Sequence, residues 1–186
     1  MYVNGIVIQK YADNPYRGID GSGFSVFTGQ NWFLNFEDGV PKDFEDYYDE
    51  NIGMTYYDLA DHTWVAACTD MAYIHRYIEE AKKRHIDYRL LLCETDIPQP
   101  NLECPDLRMT FLGYDYAYTS GDYYSAVYNE IPYVFPQFRL NRYGLFDTRE
   151  EIEEYLAARE EFTRTHPPLT LEAGDFAVFR LHEIYL

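Results

Sequence analysis

The chain is poor in basic residues and has no long apolar run. Lysine and arginine number 15 against 32 aspartates and glutamates, so the 186 residues carry a formal net charge of -17. A surface of this sign repels phosphates and anionic lipid headgroups, which argues against direct binding of nucleic acid or of an acidic membrane. No apolar stretch approaches the ~20 residues of a membrane-spanning helix, so the sequence predicts no membrane segment.

Cysteine is also scarce, and its spacing indicates a reduced, cytoplasmic setting. Cys68, Cys93 and Cys104 are an odd number without C-x-x-C spacing, which is typical of neither a disulfide framework nor a zinc site. A bridge between Cys93 and Cys104 stays open as an alternative to buried thiols. Residues 1–10 lack a basic stretch followed by a long apolar run, so we expect neither a signal peptide nor a transit peptide.

The chain nevertheless has the apolar side chains that a hydrophobic core requires. Hydrophobic residues make up 47% of the sequence and aromatic residues 18%, including 20 tyrosines. A chain of this length most simply forms one domain. We therefore expect a single α+β domain over residues 1–186, with a mixed or mainly antiparallel sheet and two principal helices.

Two segments have the three- and four-residue periodicity of amphipathic helices, and these are the two principal helices. The first covers about residues 69–86. The second covers about residues 148–165 and opens with Thr148-Arg149-Glu150-Glu151, a capping-box pattern. Shorter helices are predicted over residues 43–50 and 123–129.

Four segments have the composition of β-strands, and a fifth region predicts an aromatic hairpin over residues 24–36. The four strands are predicted over residues 2–11, 88–93, 108–118 and 176–185. The last of them alternates apolar and polar residues, as a half-buried strand does. Terminal strands often pair in small mixed folds, so we consider a pairing of the first strand with the last.

The negative charge is concentrated in two stretches. Between Glu37 and Asp61 nine carboxylates face one base, Lys42, and between Glu94 and Glu130 seven face one base, Arg108. Both stretches are rich in tyrosine. Concentrated carboxylates raise the encounter rate with positive patches, and tyrosine offers a large contact area with few rotatable bonds. The combination predicts recognition of a basic protein.

We expect the partner-binding side chains in these two stretches. If residues 108–118 form a strand, Tyr114, Tyr116 and Tyr118 lie on one face, as a tyrosine ladder that either contacts a partner or forms the rim of the core. The predicted binding residues are Asp43, Glu45, Asp46, Asp49 and Glu50 in the first stretch, and Tyr114, Asp115, Tyr116, Tyr118, Asp122, Tyr123 and Tyr124 in the second.

Sequence motifs for catalysis or metal binding are missing. The glycine-rich segment at residues 18–23 matches neither a dinucleotide fingerprint nor a Walker motif, and the five histidines show no H-E-x-x-H spacing. We therefore predict no catalytic residue, no metal ligand and no cofactor. The nearest approach to an acid/base pair is Glu94 with Asp96, two residues apart after an apolar run, although an exposed acidic turn is the commoner explanation.

In composition and size the chain is similar to small acidic inhibitors of nucleic-acid-processing enzymes, such as bacterial toxin-immunity proteins and phage-encoded nuclease inhibitors. The similarity covers no motif and transfers no functional residue. The sequence predicts a non-catalytic acidic module that occupies the basic, nucleic-acid-binding surface of a partner such as a nuclease. The alternative is a small enzyme in which Glu94 and Asp96 act as acid and base on a neutral or cationic substrate.

Overall fold

A computed structural model describes residues 1–10, 71–83, 85, 88–97, 107–118, 125–167, 171 and 174–186. In chain order, these contain β1 (Tyr2–Lys10), α1 (Met71–Lys83), β2 (Tyr88–Thr95), β3 (Arg108–Tyr118), α2 (Ala126–Tyr133), α3 (Arg149–Thr165) and β4 (Phe176–Tyr185). Together they form one antiparallel four-stranded sheet with three helices, which confirms the predicted α+β class. Within these residues no helix combines the length and the apolar character needed to cross a membrane.

The strands of the sheet follow the order β1-β2-β4-β3, in which β2 is an inner strand. Leu92 of β2 pairs with Ile6 of β1 on one side and with His182 of β4 on the other. The pairing of the first and last strands that we considered is therefore wrong. The reason is apolarity: residues 90–93 of β2 are all buried, and a strand of that kind is most stable with a neighbour on each side.

One face of the sheet, called here the Phe179 face, is packed with apolar side chains. Phe179 and Leu181 of β4 cluster there with Leu91 and Cys93 of β2. Leu145, which precedes α3 in the chain, packs against them. Cys93 is fully buried, and its thiol donates a hydrogen bond to the backbone carbonyl of Leu91. Cys104, the other end of the bridge that the spacing left open, lies outside the described residues.

The opposite face, called here the Val178 face, packs against helices α2 and α3. Val178 of β4 clusters with Val127 of α2 and with Ile152 and Tyr155 of α3. The ring of Tyr155 meets that of Phe135 edge to face, with the centroids 5.5 Å apart. These contacts fix α3 on the sheet by one side and leave its other side in solvent.

The two principal helices occur where the sequence predicts them. Helix α1 occupies the middle of the predicted range, and α3 begins one residue after its cap at Thr148. The Thr148 hydroxyl accepts a hydrogen bond from the N–H of Glu151, whose carboxylate accepts one from the N–H of Thr148. This reciprocal pair confirms the predicted capping box.

The short helix predicted over residues 123–129 is displaced toward the C-terminus and becomes α2. Ser125 forms a β-bridge with Ala117, so the helix begins only after it, at Ala126. The helix then includes Pro132, which the prediction placed beyond its end. The hairpin predicted over residues 24–36 and the helix predicted over residues 43–50 lie outside the described residues.

Candidate functional site

Strand β3 places two of the predicted tyrosines, Tyr114 and Tyr116, on the Val178 face. Tyr114 and Tyr116 pair with Arg180 and Val178 of β4, and both tyrosines are half-buried. Tyr116 stacks on Phe176 with the ring centroids 5.2 Å apart, and burial raises the pKa of its hydroxyl. Tyr116 therefore has the environment expected for a residue at the rim of the core. Tyr118 is the last residue of the strand.

Asp115 lies on the Phe179 face and is fully buried. Its Oδ1 accepts a hydrogen bond from the Ser125 hydroxyl at 2.6 Å and another from the N–H of Tyr116 at 2.8 Å. Because Ser125 stands directly before α2, these bonds fix the start of that helix on β3. In this arrangement Asp115 does not reach the protein surface, where a partner would contact it.

The other predicted binding residues lie outside the part of the chain that the structure describes. They are Asp43, Glu45, Asp46, Asp49 and Glu50 in the first acidic stretch, and Asp122, Tyr123 and Tyr124 in the second. Their assignment to a binding surface stays a prediction.

Glu94 of β2 forms an ion pair with Arg180 of the neighbouring strand β4. The Arg180 guanidinium donates from Nη2 to Oε1 at 2.7 Å and from Nε to Oε2, and Nε2 of His182 lies 3.1 Å from Oε2. Burial raises the pKa of Glu94, but hydrogen bonds from His182 and Arg180 and the charge of Arg180 outweigh it and lower the pKa to about 2. Glu94 is thus ionised at neutral pH, with both oxygens occupied.

Asp96, two residues further along, binds a different partner. Arg149, the first residue of α3, donates from Nη2 to Oδ2 of Asp96 at 3.0 Å and from Nε to Oε1 of Glu153 at 2.7 Å. An acid or base that works near neutral pH needs a pKa close to neutrality, and that of Glu94 is shifted the other way. The geometry therefore does not favour Glu94 and Asp96 as a catalytic pair. Our commoner explanation is also wrong for Glu94, which lies in a strand with only 12% of its side chain exposed.

Glu130 of α2 is more deeply buried than Glu94, with 3% of its surface exposed. Its carboxylate accepts hydrogen bonds from the Tyr155 hydroxyl at 2.6 Å and from Nε of Arg159 at 3.0 Å. Burial, reinforced by this carboxylate, raises the pKa of Tyr155 far above its ordinary value. The Arg159 guanidinium in turn lies over the ring of Tyr116, 5.3 Å from the centroid. These contacts join α2, α3 and β3.

The second acidic stretch therefore contributes less available charge than its composition indicates. Four of its seven carboxylates fall within the described residues, and each is already bound by another side chain of the protein. They are Glu94, Asp96, Asp115 and Glu130.

Helix α3 carries the acidic surface that the structure does describe. All six glutamates of the helix are exposed. At about 100° per residue, five of them fall within roughly 120° of its circumference, on the side opposite Ile152 and Tyr155. These five, called here the acidic face of α3, are Glu150, Glu153, Glu154, Glu160 and Glu161.

Two members of the acidic face are neutralised by arginines of the same helix. Glu153 pairs with Arg149, and Nη2 of Arg164 lies 2.6 Å from Oε1 of Glu161. The other three, Glu150, Glu154 and Glu160, form no ion pair with any residue that the structure describes. Their carboxylates are exposed to solvent and available to a partner.

Our sequence analysis missed the acidic face, although the signal was present. The glutamates recur three, four and seven residues apart, out of phase with the apolar stripe of α3, as residues on a solvent-facing side do. No sequence pattern indicated that Arg159 binds Glu130, because the two residues are 29 positions apart in the sequence.

Comparison of the chain with protein-family models, with curated proteins and with solved structures gives no match. Within the described residues no group of three histidine, cysteine, aspartate or glutamate side chains could hold a metal ion. The function is therefore inferred from the geometry and charge of the chain itself.

Proposed function

We propose that the protein is a non-catalytic acidic binding module that occupies a basic, nucleic-acid-binding surface of a partner protein, and that the acidic face of α3 belongs to its contact surface. The observation that carries this proposal is the exposure of Glu150, Glu154 and Glu160 on a chain of net charge -17. The first acidic stretch, with Asp43 and its neighbours, stays in the proposal as a second contact region.

The acidic face is well suited to recognition because α3 is held rigidly. Its first turn is fixed by the capping box at Thr148, and its middle by the bonds from Tyr155 and Arg159 to Glu130. Successive glutamates at Glu150 and Glu154 are separated by about 6 Å along the axis. A rigid row of carboxylates presents a fixed pattern to arginine and lysine side chains, with less ordering required on binding.

The enzyme alternative receives no comparable support. Its two proposed carboxylates belong to separate ion pairs, one with Arg180 and one with Arg149. The carboxylates of the acidic face are exposed to water, where electrostatic contributions to a reaction are weak. Charge-guided recognition needs exposure of this kind.

An affinity pull-down from the native host, at low and at moderate salt, tests the proposal. The bait is the full chain, compared with a Glu154→Lys variant and with a matched Glu79→Lys variant. Glu79 is an exposed glutamate on α1, so both substitutions change the net charge by the same amount. We expect the wild type and the Glu79→Lys variant to retain one basic protein, and the Glu154→Lys variant to retain less of it.

Added salt should weaken the retention, since exposed charges are screened. If the captured protein is a nuclease or another nucleic-acid-binding enzyme, addition of the bait should inhibit it in competition with its nucleic acid. Recovery of no specific partner at either salt concentration would contradict the proposal. If the Glu79→Lys and Glu154→Lys variants retained equally little of the partner, binding would depend on net charge alone. That result would contradict the assignment of the contact surface to the acidic face of α3.

A further inference from the structure

The first half of β3 is an exposed sheet edge. Residues 108–111 are all exposed, and Met109 and Phe111 expose 44% and 43% of their surface. Among the described strands β3 is the outermost, with β4 on its inner side. Among the described residues its outer side is covered only further along, by bridges from Phe146 to Tyr114 and from Ser125 to Ala117.

The hydrogen-bonding direction of this edge follows from Tyr114. Tyr114 exchanges two backbone hydrogen bonds of 2.9 Å with Phe146 on the outer side. Antiparallel strands direct alternate residues to opposite sides, and a bulge lies between Phe111 and Gly113. The bulge adds one residue to this alternation. As a result Phe111 and Met109, like Tyr114, direct their backbone N–H and C=O groups outward. No described residue forms a backbone hydrogen bond with them there.

This segment is complementary to itself. If a two-fold axis passes beside Thr110, Met109 of one copy lies opposite Phe111 of the other, and the reverse. Both are hydrogen-bonded pairs, so the axis creates four backbone hydrogen bonds. The Met109 and Phe111 side chains share the Val178 face, since they pair with Ile184 and His182 of β4. They would pack across the new strand pair.

The charges along the edge indicate which partner suits it. From Leu107 to Tyr114 the one charged residue is Arg108. The adjacent Glu183 of β4 is paired with Arg89 at 3.4 Å. Among the described residues of this edge, a basic segment would meet Arg108 and no available carboxylate, so the edge does not suit the basic partner proposed for α3.

A second copy of this chain suits the edge better. Two chains of the same negative charge can approach closely where carboxylates are few, and none of the residues 107–114 carries one. In the two-fold pairing the two Arg108 residues stand about 13 Å apart along the strands, beyond the screening length of roughly 8 Å at physiological salt.

We infer that the Arg108–Phe111 edge pairs with the same edge of a second copy, so that the two sheets join into one across a two-fold axis. The paired segment is short, which makes the dimer weak and dependent on concentration. The inference does not rest on the binding function proposed for α3. The two respond to salt in opposite directions: screening tightens a dimer of like-charged chains and weakens the binding of a basic partner.

A cysteine at the axis tests the pairing directly. Two Thr110 residues would face each other in a non-hydrogen-bonded pair with Cα atoms about 4.5 Å apart, within the range that a disulfide spans. In a background with Cys68→Ser and Cys104→Ser, we expect mild oxidation of Thr110→Cys to give a disulfide-linked dimer. The matched control is Arg108→Cys, which should stay monomeric. Equal cross-linking of both variants, or of neither, would overturn the inference.

Sedimentation equilibrium of the reversible dimer gives the second test. In the dimer Met109→Lys occurs once in each copy, so it removes two apolar contacts and places two positive charges at the interface. We therefore expect the dissociation constant of the dimer to rise about tenfold. The control, Tyr133→Lys, makes a similar change at a residue of α2 that is 81% exposed and far from the edge in the sequence, and should have no effect. A wild-type protein that stays monomeric at its highest soluble concentration would overturn the inference.

Discussion

The carboxylates that lie against the sheet and those on the outer side of α3 have opposite roles, although both belong to the same excess of negative charge. Glu130 is buried and Glu94 largely so, and both are bound by arginines of neighbouring elements. Glu154 and Glu160 are exposed and form no ion pair with a described residue. The first pair holds the fold together, whereas the second pair is available to another molecule. Net charge alone does not distinguish these roles.

The two groups also differ in what a substitution costs. Removal of one partner from a buried ion pair leaves the other charge without compensation, which destabilises a protein strongly. A substitution at an exposed carboxylate changes little in the fold. Stability and partner binding should therefore respond to different glutamates.

The largest loss of stability is expected from Glu130→Ala. This change leaves the Tyr155 hydroxyl and the Arg159 guanidinium, which is only 16% exposed, without their shared acceptor. We expect the free energy of unfolding to fall by about 3 to 5 kcal/mol in urea denaturation. The matched control is Glu154→Ala, which removes an exposed glutamate of α3 instead of a buried one of α2. Equal stability of the two variants would contradict the division between bound and available carboxylates.

Glu94→Gln should have the next largest effect, and one that depends on pH. The folded-state pKa of about 2 lies below the ordinary value of 4.5, so ionised Glu94 stabilises the fold. This contribution is fully present above pH 4.5 and is lost as the pH falls toward 2. The shift corresponds to about 3 kcal/mol.

The measurement for Glu94 is thermal or urea unfolding between pH 2 and pH 7, a window set by the pKa values above. We expect the wild type to be more stable than Glu94→Gln at pH 7, with the difference shrinking steadily as the pH falls below 4.5. A difference that stays constant over this range would show that the Glu94 charge is not the stabilising feature.

A smaller effect is expected from Thr148→Ala, which removes the side-chain cap of α3. Loss of an N-cap costs about 1 kcal/mol. Thr148→Ser keeps the hydroxyl and should restore most of the stability. If the alanine and serine variants were equally stable, the capping box would not be what anchors the first turn of the acidic face.

The smallest effect on stability is expected from Glu154→Lys. The new lysine stands four residues after Glu150, a favourable arrangement on a helix surface. We expect the free energy of unfolding to change by less than about 0.5 kcal/mol, measured by urea denaturation. A much larger loss would mean that Glu154 has a structural partner and cannot serve as an available carboxylate.

The sequence predicted the fold well wherever a local pattern determines the structure. Strands β3 and β4 have the predicted bounds, and Thr148 with Glu151 forms the predicted cap, because alternation and capping act over a few residues. The order of the strands did not follow from such patterns. It depends on which strand is most deeply buried, and that is a property of the whole sheet.

The candidate site was predicted less well, because burial of a carboxylate depends on partners distant in sequence. Glu94 is bound by Arg180, which lies 86 residues away, so it resembled an exposed turn residue in the sequence. Asp115 likewise counted as surface charge until its bond to Ser125 placed it in the interior. The acidic face of α3 could have been found from helical periodicity alone.

The most direct test of the central claim is the association rate constant of the protein with the basic partner recovered by the pull-down. At low salt we predict that Glu154→Lys combined with Glu160→Lys slows association about tenfold, since both substitutions reverse charges on the acidic face. Glu79→Lys should change the rate little, and added salt should reduce the difference between the variants. Association that is as fast for the double variant as for the wild type would contradict the claim that the acidic face of α3 guides binding.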